Sequence, residues 1–253
     1  MKMRTLLLAM AMAVTLPAFA EPDAKMTDAA KEEAATSIPD PVMFVSSHKG
    51  VFGSERLTYR VEAGETYIDN DEGEPAASLF TTSYIKENAG AQRPVTFVFN
   101  GGPGSASVWL HLGLLGPKRA VVASDADADD GAAPYTLVDN PLSILDQTDL
   151  VFIDPVGTGF SRAIGKGENK DYWSEAGDGG SISEFIRSWI TQHKRWNAPK
   201  YLIGESFGTT RAAYIADELT TGDVDIALNG IVLISQALDY EGSTSVHDNM
   251  YSY

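Results

Sequence analysis

The chain has 253 residues, 43% of them apolar, enough for a buried core and too many for a disordered chain. Its 35 acidic and 19 basic side chains give a net charge of −16, which excludes a nucleic-acid backbone binder and a polybasic membrane anchor, since both need a basic face. With no cysteine, disulfides, thiolate metal sites and a cysteine nucleophile are excluded as well.

The first 20 residues read as a secretory signal peptide. Lys2 and Arg4 form the basic start, Leu6 to Val14 a short apolar run, and Ala18-Phe19-Ala20 the small-residue cleavage signal. The run is too short to cross a bilayer, which takes about 20 apolar residues. Cleavage removes two bases and no acid, so the exported chain carries −18. Bacterial export to the periplasm or the medium is the expectation. Residues 21–41, rich in Ala, Glu, Asp and Lys and ending in Pro39-Asp40-Pro41, read as a solvated tether.

From Val42 onward the pattern is that of a folded domain. Leu57–Val61 and Leu79–Ile85 read as strands, with a turn-rich link at Asp69–Glu74, and an antiparallel meander is expected there. Pro94–Phe99, Asp149–Ile153, Lys200–Ile203 and Gly230–Ile234 are nearly continuous apolar runs, as parallel strands covered on both faces require. Helical stretches at Ser181–His193 and Thr209–Leu219 lie between the later ones. The alternation predicts an α/β fold with a mostly parallel sheet flanked by helices. Asp125, Asp127, Asp129 and Asp130 before Gly131 imitate the start of a calcium loop. The glycine comes one position late and Thr136 stands where the closing Glu belongs, so a surface loop is the expectation.

Two loops carry chemistry. Gly204-Glu205-Ser206-Phe207-Gly208 is a G-x-S-x-G string with a strand entering and a helix leaving, the setting of a nucleophile elbow. The glycines relieve crowding in a sharp turn that pushes the Ser206 hydroxyl out. The following helix start supplies N–H groups where negative charge develops. An ordinary serine N-cap is the alternative reading. Asn100-Gly101-Gly102-Pro103-Gly104-Ser105 follows the strand at Pro94–Phe99 and has the flexibility to aim an N–H at an oxyanion. It is neither a P-loop nor a dinucleotide fingerprint. A tight turn or an anion nest remains its alternative.

Together these segments resemble the serine carboxypeptidases, the S10 peptidases, over residues 94–238. Four runs stand in the family's order: F-N-G-G-P-G-S-A-S from Phe99, L-G-P from Leu115, N-P-L-S-I-L-D-Q-T-D-L-V-F-I-D-P-V-G-T-G-F-S from Asn140, and Y-L-I-G-E-S-F-G from Tyr201. The resemblance implies an α/β-hydrolase fold and removal of C-terminal residues from peptides through an acyl-enzyme and a Ser-Asp-His triad. By position it makes Ser206 the nucleophile and the N–H groups of Gly102 and Phe207 the oxyanion hole. It makes Asn100, Gly101 and Glu205 the group that holds the substrate's terminal carboxylate. A carboxyl group that keeps its proton can donate to a carboxylate. No cofactor or metal is implied, because acyl transfer by serine needs none.

Four segments depart from the family pattern. Val98 stands for a Trp, Ser105 for a Cys, Leu114 for a Glu before x-G-P, and Ile153-Asp154-Pro155 for D-Q-P. Without the second acid, esterase or acyltransferase chemistry on the same scaffold stays open beside the carboxypeptidase. A non-catalytic binding module is the third reading.

In this fold the acid and the histidine follow the nucleophile in the chain. Only 47 residues follow Ser206, and the one histidine among them is His247. It falls about one strand too early, while His48, His111 and His193 precede the serine. The expectation is therefore a fragment with an incomplete C-terminal half, lacking the triad's Asp and His. A serine without a base is a weak nucleophile. The 253-residue polypeptide should show little turnover and little labelling of Ser206 by a fluorophosphonate. Stoichiometric labelling would overturn the expectation.

Overall fold

The computed structural model describes residues 38–122, 133, 135–221 and 224–237. The expected signal peptide, the tether up to residue 37, the acidic loop at 125–131 and His247 lie outside the described residues. Among the described residues, no helix is long and apolar enough to cross a membrane.

One mixed sheet organises the chain. Its strands are β1 (Met43–Phe52), β2 (Glu55–Asp69), β3 (Pro75–Lys86), β4 (Val95–Phe99), β7 (Asp149–Ile153), β9 (Lys200–Glu205) and β10 (Gly230–Ile234), in the order β1-β2-β3-β7-β4-β9-β10. The two-residue β8 (Arg162–Ala163) pairs with β3. β7, β4, β9 and β10 run parallel to one another. β1, β2 and β3 form the antiparallel meander, and β3 meets β7 antiparallel. Helices α1 (Glu175–Gln192) and α2 (Phe207–Thr221) connect β7 to β9 and β9 to β10. A two-stranded pair, β5 (Lys118–Ala120) with β6 (Leu137–Asp139), lies apart from the main sheet.

Alternation along each strand divides the core between the two faces. Val95, Phe97 and Phe99 join Val151, Ile153 and Leu202 under α1 and α2, where Ile182, Phe185, Ile186, Trp189 and Ile215 pack. Val98, Leu150, Phe152 and Ile203 point to the other face, against Leu57, Tyr59, Tyr84, Leu110 and Leu145. β7, β4 and β9 are thus buried on both faces, which is why they read as continuous apolar runs. β10 departs from that expectation: it pairs only with β9 in the described sheet, and Ile231, Val232 and Leu233 are exposed.

The meander is longer than the sequence reading gave it. β2 continues past Val61 through Gly64, a poor strand former on its own. A side chain at Gly64 would lie 2.2 Å from the Val42 carbonyl, so the glycine marks a crossing of chains rather than the end of the strand. The whole of β1 was unexpected, because nearly all of its residues are exposed and no apolar alternation marks it. Tyr67 donates a hydrogen bond of 2.8 Å to the Pro39 carbonyl just before β1. Both helices start earlier than expected. α1 begins at an N-cap, Ser174, whose hydroxyl accepts from the Gly177 N–H at 3.0 Å.

His111 sits in a π-helical turn, His111–Leu115, which follows the short helix Val108–Leu110. Its ring stacks on Phe152 at 4.3 Å and its Nε2 meets the Tyr84 hydroxyl at 2.6 Å. Burial pushes its pKa down from 6.5 to about 4. Between pH 6.5 and 4 the unfolded chain binds a proton at His111 that the folded chain refuses, so stability falls as pH falls through that window. The slope is about 1.4 kcal/mol per pH unit, or about 3 kcal/mol over the whole window. In urea unfolding at pH 7 and pH 4, His111→Gln should lose less stability on acidification than the parent, by about that amount. An equal loss in both would refute the assignment.

Candidate active site

The site forms where β4 and β9 end side by side. Val98 pairs with Ile203 and Phe99 with Gly204, so the glycine loop and the elbow leave neighbouring strands together. Ser206 has a φ of +56°, the strained backbone of a nucleophile elbow. Its N–H donates to the Ile234 carbonyl at 2.9 Å. Its carbonyl accepts from the N–H and the hydroxyl of Thr209, at 2.9 and 2.7 Å. The strained residue is therefore held from β10 and from α2.

Three glycines are needed for close approach. A side chain at Gly204 would lie 2.1 Å from the Gly208 carbonyl oxygen, and one at Gly101 would lie 2.4 Å from the Phe207 nitrogen. A side chain at Gly208 would lie 3.0 Å from the Phe99 carbonyl oxygen. The loop and the elbow thus touch backbone to backbone, with Gly102 at a φ of +107° next in the chain.

A cleft of about 550 Å³ opens over this junction. Asn100, Gly102, Glu205 and Ser206 line it, with Ser105, Trp109, Leu110 and Leu114. Gly101 is buried beneath it against the elbow. Phe207 lines a second cleft beside Pro103 and Gly104. The residues singled out in the sequence therefore gather at one place. None of the described histidines lines the cleft of Ser206. His48 stacks on Tyr59, His111 lies under the sheet's other face, and His193 bonds Glu62 at 2.9 Å.

Asn100 is buried and its orientation is fixed. Its Oδ1 accepts from the Leu110 N–H at 3.0 Å, which turns Nδ2 toward Glu205 Oε2, also at 3.0 Å. The amide keeps a second hydrogen beyond the one given to Glu205. The neighbouring loop is tied to β7: the Ser107 N–H donates to Asp154 Oδ1 at 2.8 Å. Burial raises the pKa of Asp154, and that N–H works against the rise.

Sequence reasoning missed Arg211 and Asp178. Arg211 is buried and donates from Nε to Asp178 Oδ2 at 2.7 Å and from Nη1 to the Asn100 carbonyl. Its guanidinium lies 5.6 Å from the Phe99 ring and 5.3 Å from the Phe207 ring. One side chain thus grips the start of the glycine loop and the elbow. Burial raises the pKa of Asp178, with Arg211 opposing the rise. An arginine one turn into an amphipathic helix carries no motif, so only the fold reveals the pair.

A parallel sheet with helices connecting its strands and a strained serine at a strand-to-helix turn define an α/β hydrolase. The crystal structure of Kex1, a prohormone-processing carboxypeptidase from Saccharomyces cerevisiae, has the same fold, with a TM-score of 0.53 at 20% identity over 72% of this chain and 39% of that one. A family model for serine carboxypeptidases (Peptidase_S10) matches residues 55–252, and the chain belongs to that family. Serine carboxypeptidase-like 16 of Arabidopsis thaliana is 28% identical over 192 residues, 73% of this chain and 42% of that protein. Pheromone-processing carboxypeptidase KEX1 of Cryptococcus gattii is 32% identical over 184 residues, 72% of this chain and 26% of that protein. The chain therefore spans less than half the length of these relatives.

Removing one partner of the buried pair strands a charge. Arg211→Met should cost about 3–5 kcal/mol in urea unfolding, and adding Asp178→Leu should recover a large part of it. Additive losses in the double variant would show that the two side chains do not act as a pair.

Proposed function

We propose that this chain carries the nucleophile half of a serine carboxypeptidase active site. The observation that supports it is the gathering of Ser206, Glu205, Asn100 and Gly102 around one cleft. In this reading the Ser206 oxygen attacks the carbonyl of the last peptide bond. The N–H groups of Gly102 and Phe207 receive the charge that develops on the carbonyl oxygen. The C–N bond then breaks, the C-terminal amino acid leaves, and water releases the acyl group from Ser206. The hydroxyl proton passes to a histidine oriented by an acid, both supplied from outside the described residues, and from that histidine to the departing nitrogen as the C–N bond breaks.

The terminal carboxylate is held by the free hydrogen of Asn100 Nδ2, by the loop backbone at Gly101 and by the carboxyl group of Glu205. Trp109 and Leu114, both largely exposed in the cleft, contact the departing side chain. Export through a signal peptide at residues 1–20 belongs to the same proposal and puts the substrate outside the cytoplasm.

An esterase or acyltransferase on this scaffold is the second reading. The observation in its favour is Leu114, an apolar side chain in the cleft where the family pattern has a carboxyl group. One comparison separates the two. The natural protein should release the last residue of an N-blocked dipeptide, and amidation of the C-terminus should lower kcat/KM by about a hundredfold or more. Ser206→Ala should abolish the reaction. Glu205→Gln, which keeps a donor, should retain more activity than Glu205→Ala. Equal rates on the acid and the amide would favour the esterase or acyltransferase.

A further inference from the structure

A third cleft, of about 300 Å³, shares no described lining residue with the clefts of Ser206 and Phe207. Strand register builds its floor. Thr82 of β3 pairs with Phe152 of β7. The Asp154 N–H donates to the Phe80 carbonyl at 3.1 Å, which continues that register by two residues. Side chains two apart on a strand share a face, and directly opposed ones stand about 5 Å apart. Phe80, Thr82, Phe152 and Asp154 therefore form one patch. Val108 and His111 close it from the chain after the glycine loop, and Gly159 and Phe160 close it from the loop after β7.

Asp154 is the one acid in this lining, and among the described residues no cation pairs with it. Its Oδ1 accepts from the Ser107 N–H, while Oδ2 has no partner. The Thr82 hydroxyl also has none, and neither oxygen is sealed from solvent. Gly159 makes room for Oδ2, since a side chain there would lie 2.1 Å from it. His111 is neutral at neutral pH, because burial brings its pKa down to about 4, so it does not cancel the charge of Asp154. The cleft beside Phe207 differs: the charges in its lining, Asp178 and Arg211, are paired with each other at 2.7 Å. The walls here are aromatic. Phe80 and Phe160 meet at 57° with ring centroids 5.0 Å apart and so form a corner. Phe160 is 69% exposed, which leaves that corner open to solvent.

A carboxylate without a cation, bordered by aromatic rings, has the chemistry that recognises an organic ammonium group. We propose that this cleft binds a small primary amine in its ammonium form, carried on a short aromatic or aliphatic stem. The ammonium donates to Asp154 Oδ2 and to the Thr82 hydroxyl oxygen, and the stem packs against Phe80, Phe160 and Val108. Roughly 150 Å³ of cavity holds a benzene ring, so this cleft has room for benzylamine. The site stands whichever reaction Ser206 performs.

The test is calorimetric titration of the natural protein with benzylamine near neutral pH. Two probes run beside it: benzyl alcohol, which is uncharged, and benzyltrimethylammonium, which has the charge but no N–H. Benzylamine should bind about tenfold or more tightly than either. Asp154→Asn keeps an acceptor for the Ser107 N–H and removes the charge. It should bring benzylamine to within about threefold of benzyl alcohol. Phe160→Ala, at a mostly exposed position, should weaken benzylamine by about threefold or more. Glu205→Gln should leave benzylamine binding unchanged, because the ligand does not lie in the cleft of Ser206. Equal affinity for benzylamine and benzyl alcohol, a preference that survives Asp154→Asn, or loss of binding in Glu205→Gln would each overturn the proposal. So would Phe160→Ala without effect, an arm that leaves the acid untouched. Benzyltrimethylammonium bound as tightly as benzylamine would overturn the hydrogen-bonded ammonium.

Discussion

The contact that the rest of the site depends on is the backbone-to-backbone packing of the glycine loop against the elbow. Gly101 lies so close to Glu205, Phe207 and Gly208 that a methyl group there would overlap main-chain atoms of all three. Gly204 and Gly208 meet in the same way across the turn. This proximity holds the peptide units at Gly102 and Phe207 near one another, and no flexible side chain intervenes. It also explains how Ser206 persists at a positive φ, which costs of order 1–3 kcal/mol for a residue other than glycine. The cost is met by the hydrogen bond that the Ser206 N–H gives the Ile234 carbonyl, by those that Thr209 gives the Ser206 carbonyl and by burial of the glycines, all outside the serine's own side chain.

Electrostatics secures the two ends of the parallel strands differently. At the starting ends, Asp149 is fully buried and receives Arg93 at 2.8 Å, Arg195 at 2.6 Å and the Lys86 N–H at 2.9 Å. That cluster is closed, and none of its members lines the two clefts at the opposite strand ends. At the finishing ends, Arg211 and Asp178 make the second buried cluster, and this one reaches the Asn100 carbonyl. Buried ion pairs are poor sources of net stability but strict about geometry, because any displacement leaves a charge unpaired. The first cluster fixes β7 to the chain that leads into β4 and β9. The second fixes the distance between the loop and the elbow.

The central strands and both long helices were legible because burial on two faces and helical periodicity leave strong marks. Val95, Phe97 and Phe99 alternate with Thr96 and Val98, and both sets are buried, so Thr96 is the run's single polar residue. The glycine loop and the elbow were legible because tight backbone contact demands glycine at fixed spacings. β1 was not, since a strand whose side chains stay in water need not be apolar. The π-helical turn at His111–Leu115 was not, because one extra residue in a helix leaves no composition signal. Arg211 and Asp178 are 33 positions apart and meet only because α1 and α2 pack on the same face. Pairs of that kind depend on topology, which local patterns do not encode.

On the proposed reading, the replacement of a second acid by Leu114 changes how a carboxylate is held rather than removing the means to hold it. Two carboxyl groups facing a third must share protons, and their titrations become coupled. Here Glu205 is joined to an amide instead. Asn100 is a donor at every pH, and the Leu110 N–H fixes which end of it faces Glu205. One carboxyl group and one permanent donor give a simpler device than an acid pair. Leu114 is then free to add apolar contact to the departing residue beside Trp109. The cleft next to Ser206 combines a polar end for the carboxylate with an apolar wall, while the cleft next to Phe207 is apolar with its charges cancelled.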